Sequence, residues 1–431
     1  MPGLHPTLYK LLVWAAQPLL RRKLARRALA EPLYGHAVEE RFGHYSHAWD
    51  TGPAQPRLWL HAVSLGEVRA AAVLLPALRQ ALPGMRLLLT HGTATGRAEG
   101  LGLLQPGDVQ VWQPWDTAAA VQAFLQHFRP QIGLLMETEV WPNLVQHSAR
   151  AGVPLVLVNA RMSERSMRAA LRWPGLMRPT YAALHAAWAQ TEDDAQRLRT
   201  LGATQVAVTG NLKFDAVPDA AQCAQARAWR ARSSRPVVLL ASSREGEEAL
   251  WLQALQTLSP AAQQSVQWLL VPRHPQRVDA VQALLQSSGW AVSRRSGWSS
   301  TGPAAQDSPA VWLGDSLGEM ALYYSLADVA LLGGSFEPLG GQNLIEAAAC
   351  ACPVLMGPHT FNFLQAAREA ERSGAARPVG NMHEAVQQAL ALVQAPEQQR
   401  AMAAVAREFV RSHTGAAQRV ADRVQQLWAQ R

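Results

Sequence analysis

Residues 333–346 read Gly-Gly-Ser-Phe-Glu-Pro-Leu-Gly-Gly-Gln-Asn-Leu-Ile-Glu, between an apolar run at 328–332 and an alanine-rich run at 345–351. This order predicts a strand, a glycine turn and a helix. Backbone N–H groups at a helix N-terminus stabilise an anion, and glycine pairs allow close approach to the backbone. Glu346, one helical turn further, suits a ribose diol. We therefore predict a nucleotide site; an ordinary strand-to-helix turn is the alternative.

The composition indicates a globular protein with an anionic partner. The chain has 431 residues, 48% hydrophobic and 17% charged, which fits two to three domains with sizeable cores. A net charge of +8 favours nucleic acid, acidic lipid or a nucleotide-sugar as partner. The three cysteines form no disulfide or zinc pattern, which is typical of a cytosolic protein.

Residues 1–30 differ from the rest of the chain. An apolar run at 8–20, interrupted by Lys10, Gln17 and Pro18, is followed by the basic run 21–27. The apolar run is shorter than the roughly 20 residues of a spanning helix and lacks a signal-peptide cleavage site. We predict a membrane-anchor helix with basic residues on anionic headgroups and the following domains on the cytoplasmic side. A helix packed on the protein body is the alternative.

Apolar runs alternate with helical periodicity along most of the chain, which predicts parallel sheets covered by helices. Helices are expected at 68–80, 118–128 and 397–430, and a loop at 296–309. Strands are expected at 57–62, 85–90, 131–136, 154–158, 187–190, 205–208, 237–241, 266–271, 310–313, 329–332 and 353–356. The fold class is α/β, with two Rossmann-like doubly wound domains facing a cleft. Ligands of such sheets bind beyond the carboxyl ends of the strands.

The turns after the strands carry the candidate residues. Glu67 opens a helix, whose N-terminus would favour the ionised form and so a general base; a plain first-turn acid is the alternative. Residues 137–143 combine two acids with Trp141, which suits sugar recognition. Residues 159–166 either bind an anionic acceptor or hold the 137–143 turn. Ser242 and Ser243 could contact a phosphate, Arg273 suits an anion, and Lys213 lies where the two halves join. No metal motif is found, so we predict a metal-free site without a cofactor.

Seven motifs occur in the order known from one enzyme family. They are residues 61–67, 137–143, 159–161, 210–213, 272–275, 333–335 and 357–363. Together they resemble the Kdo transferases, which move 3-deoxy-D-manno-oct-2-ulosonic acid (Kdo) from CMP-Kdo to the lipid A precursor of Gram-negative lipopolysaccharide. The resemblance runs from the N-terminal anchor to about Phe363. The family usually has His at the position of Gln342, and Thr-His where this chain has Ser243-Arg244.

The resemblance implies a GT-B fold, an inverting reaction and a protein at the inner membrane that faces the cytoplasm. It implies catalytic roles for Glu67 as the base and for Glu137 and Lys213 in transition-state stabilisation. It implies that CMP and the donor are bound by Pro272, Arg273, Leu317, Gly318, Glu319, Gly334, Ser335, Asn343, Leu344, Ile345 and Glu346. The expected domains are an anchor helix with its basic flank (1–30), an acceptor domain (31–210), a linker (211–220), a donor domain (221–395) and a helical segment (396–431).

Three other functions remain open at this point. Another GT-B enzyme, a UDP-sugar transferase or epimerase, would differ in choosing uridine over cytidine. A membrane-bound scaffold with a degenerate site is opposed by the presence of Glu67, Glu137, Lys213 and Arg273 together. Nucleic-acid binding through the net charge of +8 is the third, but the basic residues are densest beside the apolar N-terminal run, which suits lipid better.

Overall fold

The computed structural model describes residues 6–46, 49, 55–303 and 310–430. The chain forms two compact units, one of residues 1–215 with 414–431 and the other of residues 216–413. The chain leaves the first unit inside the segment 211–220 that we expected to be the linker. Part of the predicted loop 296–309 lies outside the described residues.

The first unit is built on a parallel sheet of seven strands in the order β3-β2-β1-β4-β5-β6-β7. The strands are β1 (Arg57–His61), β2 (Arg86–His91), β3 (Val109–Trp112), β4 (Ile132–Met136), β5 (Leu155–Ala160), β6 (Ala186–Ala189) and β7 (Val206–Val208). Leu58 and Leu60 pack on one face of the sheet and Trp59 on the other. Because alternate residues point to opposite faces and both faces are covered, the strands read as continuous apolar runs.

Helices connect and cover these strands. They are α1 (Pro6–Ala15), α2 (Gln17–Ala30), α3 (Leu65–Ala81), α4 (Ala94–Gly100), α5 (Ala118–Phe128), α6 (Pro142–Arg150), α7 (Glu164–Ala170), α8 (Pro174–Ala182) and α9 (Glu192–Leu201). Within the described residues, no helix is long and apolar enough to cross a membrane. Short 3-10 helices lie at Pro32–Gly35, Val38–Phe42, Leu101–Leu103 and Leu212–Asp215.

The second unit repeats this architecture with strand order β10-β11-β9-β8-β12-β13-β14, all parallel. The strands are β8 (Val237–Ser243), β9 (Gln267–Pro272), β10 (Ala291–Arg294), β11 (Ala310–Leu313), β12 (Val329–Leu332), β13 (Val354–Met356) and β14 (Ala376–Pro378). The helices are α10 (Ala220–Arg230), α11 (Glu247–Gln256), α12 (Pro260–Gln264), α13 (Val278–Ser287), α14 (Met320–Leu326), α15 (Leu344–Ala349), α16 (Leu364–Ser373), α17 (Met382–Val393) and α18 (Pro396–His413). Short 3-10 helices lie at Pro275–Arg277, Arg295–Gly297 and Phe361–Phe363.

The last helix, α19 (Ala416–Ala429), packs back on the first unit. Its buried residues Val420, Val424 and Leu427 join the core formed by α3 and the first sheet. Asp215 accepts hydrogen bonds from the backbone N–H groups of Gly415 and Ala417 and so fixes the start of α19. The helical segment expected at 396–431 is therefore two helices that belong to different units.

Candidate functional site

Each sheet has one point where the direction of strand order reverses, and the candidate residues follow the strands beside it. In the first sheet the point lies between β1 and β4, which are followed by Glu67 and Glu137. In the second it lies between β8 and β12, which end at Ser243 and just before Gly333. Ligands of open α/β sheets bind beyond the strand ends at such points, so the geometry of each unit agrees with these positions.

Glu67 closes the N-terminus of α3. The Ser64 hydroxyl is the N-cap and donates to one carboxylate oxygen of Glu67 at 2.9 Å, and the Val63 N–H donates to the other at 2.8 Å. Glu67 is buried, with only 8% of its surface exposed. Glu67 therefore performs the capping task of an ordinary first-turn acid, and it does so at the carboxyl edge of the sheet.

The pKa of Glu67 is raised to about 7: burial is the main cause, the charges of Glu139 and Glu137 also raise it, and the hydrogen bonds from Val63 and Ser64 lower it. We expected the helix N-terminus to favour the ionised form, but desolvation outweighs that effect. A carboxyl with this pKa is a stronger base than an exposed one and is still ionised in part at neutral pH.

The turn after β4 holds its residues in a constrained backbone. Glu137 has φ of +53°, a conformation that is rare outside glycine and is often found at functional sites. Its N–H donates to Val158, and its carbonyl accepts from the N–H of Arg161 at 3.2 Å. The Trp141 indole donates to Glu139 at 2.8 Å. Two roles were left open for residues 159–166. The hydrogen bond from Arg161 shows that this segment holds the 137–143 turn.

Asn159, fully buried with φ of +50°, fixes the segment that carries Lys213. Its side-chain oxygen accepts from the Leu212 N–H at 3.0 Å. Asn211 in turn accepts from the Lys213 N–H at 3.0 Å. The strand end after β5 thus sets the backbone of the Lys213 turn through hydrogen bonds within one unit.

A buried carboxylate occupies the glycine turn of the second unit. Glu247, fully buried, accepts from the N–H groups of Gly334 at 2.6 Å, Phe336 at 3.0 Å and Arg244 at 2.8 Å. Burial raises the pKa of Glu247, and these N–H groups lower it. The N–H groups that we assigned to a donor phosphate are therefore bonded within the protein, and the turn is shaped by Glu247.

Two serines of the predicted donor site support the backbone. The hydroxyl of Ser335, fully buried, donates to Leu332 and accepts from the Gly357 N–H at 2.8 Å. The hydroxyl of Ser243, also fully buried, donates to Glu248 at 2.7 Å. Ser242, at φ +55°, is 9% exposed, with its hydroxyl 3.8 Å from the Met320 sulfur. Ser243 and Ser335 thus present no exposed hydroxyl to a ligand.

Cationic side chains surround the end of β9. The Arg273 N–H donates to the Ser243 carbonyl at 2.9 Å, directly after the buried Pro272. Burial lowers the pKa of the adjacent His274, and Arg244, Arg273 and Arg277 lower it further. Arg277 bonds both oxygens of Glu248, at 2.8 and 3.0 Å. The surroundings of His274 therefore combine three arginines with the carboxylates of Glu245 and Glu248, a net positive charge that suits an anion.

The remaining predicted donor residues lie after β11 and β12. Leu317 is 74% exposed. Gly318 has φ of +78°, and its carbonyl accepts a hydrogen bond from the Gln222 side chain. The Glu319 carboxylate accepts from Arg295 at 2.8 Å. Asn343 caps α15 and donates to the exposed Glu346 at 3.0 Å. Leu344 and Ile345 are buried in the core, so their side chains anchor the helix.

Sequence reasoning missed several buried charged residues, three of which bear on the site. Asp116 accepts from Tyr9 at 2.7 Å and from the N–H groups of Asn143 and Leu144 at the start of α6, and burial raises its pKa to about 6. Arg41 and Glu247 are the others. In the sequence Asp116 only precedes Thr117, the N-cap of α5. Nothing in the neighbouring residues indicates that Asp116 bonds to Tyr9 and to the start of α6. Within the described ranges, no three His, Cys, Asp or Glu side chains are grouped to hold a metal ion.

Comparisons with known sequences point to one enzyme family. A family profile described as 3-deoxy-D-manno-octulosonic-acid transferase (kdotransferase) matches residues 36–216. The 3-deoxy-D-manno-octulosonic acid transferase of Bordetella pertussis is 47% identical over 86% of this chain and 87% of its own length. That of Haemophilus influenzae is 30% identical over 96% of each chain.

Solved structures share the fold at low sequence identity. A glycosyltransferase from Rickettsia africae matches with a TM-score of 0.57 and 12% identity, over 86% of this chain and 98% of that one. UDP-GlcNAc 2-epimerase from Neisseria meningitidis matches with a TM-score of 0.58 and 16% identity, over 86% and 99%.

The two parallel, doubly wound sheets are those of the GT-B fold, as predicted from the sequence. The sequence identity to the two transferases, over most of their length, then gives the family. The chain belongs to the 3-deoxy-D-manno-octulosonic acid (Kdo) transferases. Membership of this family favours Kdo transfer over the scaffold and UDP-sugar alternatives.

Proposed function

We propose that this enzyme transfers Kdo from CMP-Kdo to the lipid A precursor in lipopolysaccharide biosynthesis, with inversion at the anomeric carbon. The family of Kdo transferases supports the transferred sugar. The observation that carries the mechanism is the buried Glu67 at the carboxyl edge of β1, with its pKa raised to about 7.

The reaction is a single displacement. Glu67 takes the proton of the acceptor hydroxyl as its oxygen forms a bond to the anomeric carbon of Kdo. The bond from that carbon to the phosphate oxygen breaks, and CMP leaves with the electron pair. Positive charge develops on the Kdo ring and negative charge on the phosphate. Glu137 and Lys213 are assigned to stabilise these charges.

The second unit is assigned to the donor. The electropositive end of β9, with Arg273 and Arg244, would hold the phosphate in place of the glycine-turn N–H groups that Glu247 occupies. Gly334 and Ser335 would shape the turn, Leu317, Gly318 and Glu319 would contact CMP, and Asn343 and Glu346 at the start of α15 would face the ribose. Pro272 and the buried Leu344 and Ile345 would hold these segments.

We further propose that the protein works at the cytoplasmic side of the inner membrane, with α1 and α2 lying in the lipid interface. Leu11, Leu12, Trp14 and Leu19 are 52–67% exposed, and α2 carries a run of basic residues. Tyr9 and the Val13 carbonyl bond to Asp116 and Trp115, so one face of α1 packs on the unit. An exposed apolar face beside basic residues suits anionic headgroups.

The test of the reaction is transfer in detergent micelles, with CMP-Kdo generated in situ and a tetra-acylated lipid A precursor, followed by mass spectrometry. The expected product gains one or more Kdo masses. A folded enzyme that yields no such product and releases no CMP would overturn the proposal. Replacing CMP-Kdo by UDP-sugars tests the alternative donor.

The base assignment needs a variant that separates capping from catalysis. Glu67→Gln should fold, bind CMP and lose transfer by about 100-fold or more. Glu384 offers a matched control, because it reaches back to the Gly380 N–H at the start of α17 as Glu67 does to Val63. Glu384→Gln should retain transfer. Near wild-type turnover in Glu67→Gln would show that another group is the base.

A further inference from the structure

A cavity of about 190 Å³ lies in the first unit between α2 and the carboxyl edge of the sheet. Residues of α2 at helical spacing form one wall, and the turns after β1, β2, β3 and β4 form the other. The lining comprises Leu20, Lys23, Leu24, Arg27, Tyr34, Arg41, Val63, Gly92, Gln113, Pro114, Trp115, Asp116 and Trp141. It therefore combines apolar and aromatic walls with three cationic side chains.

Arg41 is a buried cation without a carboxylate bonded to it among the described residues. It is 8% exposed, donates to the Gly92 carbonyl at 3.0 Å and lies over the Trp112 ring at 4.0 Å. Its Nε is buried and has no hydrogen-bond partner in the described part of the chain. The adjacent Glu40 is bonded to Arg97 at 2.8 Å. A buried guanidinium is costly without an anion, which a ligand would provide.

The other charged residues of the cavity leave it positive. Lys23 and Arg27 lie on α2, with Arg27 donating to Tyr34 at 3.2 Å. Asp116 is the acid of the lining, and it accepts the Tyr9 hydroxyl and the N–H groups of Asn143 and Leu144. Its charge is therefore stabilised by the start of α6 rather than by the cavity cations.

We infer that this cavity binds a phosphate group on the headgroup of the acceptor lipid. The inference rests on the proposed function, whose acceptor is a phosphorylated, acylated disaccharide. A volume of about 190 Å³ is small against the roughly 300–1,000 Å³ of a pocket for a drug-sized ligand, so it suits a phosphate and part of its sugar but not the whole acceptor. Val63 lines the cavity and also donates to Glu67, so the phosphate would lie beside the residue proposed to activate the hydroxyl.

Lys23→Gln tests this site, because Lys23 is exposed and its loss leaves the core intact. Arg22→Gln is the matched control: Arg22 is exposed on the same turn of α2 and lies outside the cavity lining. In neutral detergent micelles we expect KM for the phosphorylated acceptor to be about fivefold higher in Lys23→Gln than in Arg22→Gln. KM for CMP-Kdo should be equal in both. With the acceptor dephosphorylated, the fivefold difference should disappear.

Three results would overturn the site. The two variants could have equal KM for the phosphorylated acceptor, or the difference could persist after dephosphorylation. It could also arise only when phosphatidylglycerol is added to the micelles, which would assign Lys23 to bulk lipid headgroups. Wild-type enzyme that transfers no Kdo would instead refute the proposed function. Arg41→Gln, checked for folding by circular dichroism, should reproduce the Lys23→Gln pattern with a larger rise in KM.

Discussion

Glu67 combines two hydrogen bonds of a helix cap with a pKa of about 7, because burial opposes the stabilisation that the cap gives its charge. A residue can therefore have a structural and a proposed chemical role at once. The sequence alone could identify the position, since Ser64 and Glu67 have capping spacing. It could not give the direction of the pKa shift, which depends on how many groups surround the carboxyl.

The pH dependence of transfer should report this carboxyl. A base works in its ionised form, so activity should be retained above pH about 7 and fall about tenfold for each unit below it. Ser64→Ala removes a hydrogen bond that lowers the pKa of Glu67, so it should move the acid limb to higher pH. The measurement is kcat/KM across pH. A flat acid limb in the wild type would exclude Glu67 as the titrating group.

Glu247 should control donor binding through the turn that it holds. Glu247→Gln places an amide N–H₂ against backbone N–H groups of Gly334 or Phe336, so we expect about tenfold weaker CMP binding by calorimetry. Glu371→Gln removes a charge from an exposed carboxyl of the same unit, on α16, and is the control. Equal CMP affinities in the two variants would contradict the assignment.

At the scale of elements, long apolar runs predicted the central strands closely. The runs at 310–313 and 329–332 coincide with β11 and β12, and helix 118–128 with α5. The missed strands, β3, β10 and β14, each form the edge of a sheet and are short. Each has one neighbouring strand, so it needs less continuous apolar sequence than a central strand.

The exposed face of α1 should determine membrane affinity. Leu11→Ser with Trp14→Ser should lower binding to anionic vesicles at least tenfold, because each side chain loses burial worth about 1.5–3 kcal/mol. Leu101 has the same 61% exposure as Leu11 but lies in the 3-10 helix Leu101–Leu103, so Leu101→Ser is a matched control. Vesicle flotation measures the difference. Unchanged flotation of the double variant would assign attachment to another surface.

At the scale of the whole molecule, the order of motifs gave the class and the family, but not the return of α19 to the first unit. Periodicity identified residues 397–430 as helical without showing which core receives their apolar face. The pairing of α19 with α3 joins residues more than 300 positions apart, and a single sequence has no local signal for such a contact. The same holds for Tyr9 with Asp116.

Shortening a buried valine side chain of α19 should lower the stability of the first unit. Val424→Ala should lower its free energy of unfolding by about 1–3 kcal/mol, because Val424 is fully buried in the core with α3. Gln425→Ala changes the adjacent exposed residue and should have little effect. Denaturant titration with CMP affinity as a second readout tests this. A loss of CMP affinity without a loss of stability would contradict the placement of α19 in the first unit.

The return of α19 also has a consequence during synthesis on the ribosome. The first unit is translated early, yet the helix that covers Val68, Leu74 and Leu78 of α3 is made only after the second unit. Roughly 200 residues of the second unit are made in between, which takes about 10–40 s at typical elongation rates. For that time the nascent protein exposes an apolar surface that chaperones could recognise, and a late stop codon would leave it permanently uncovered.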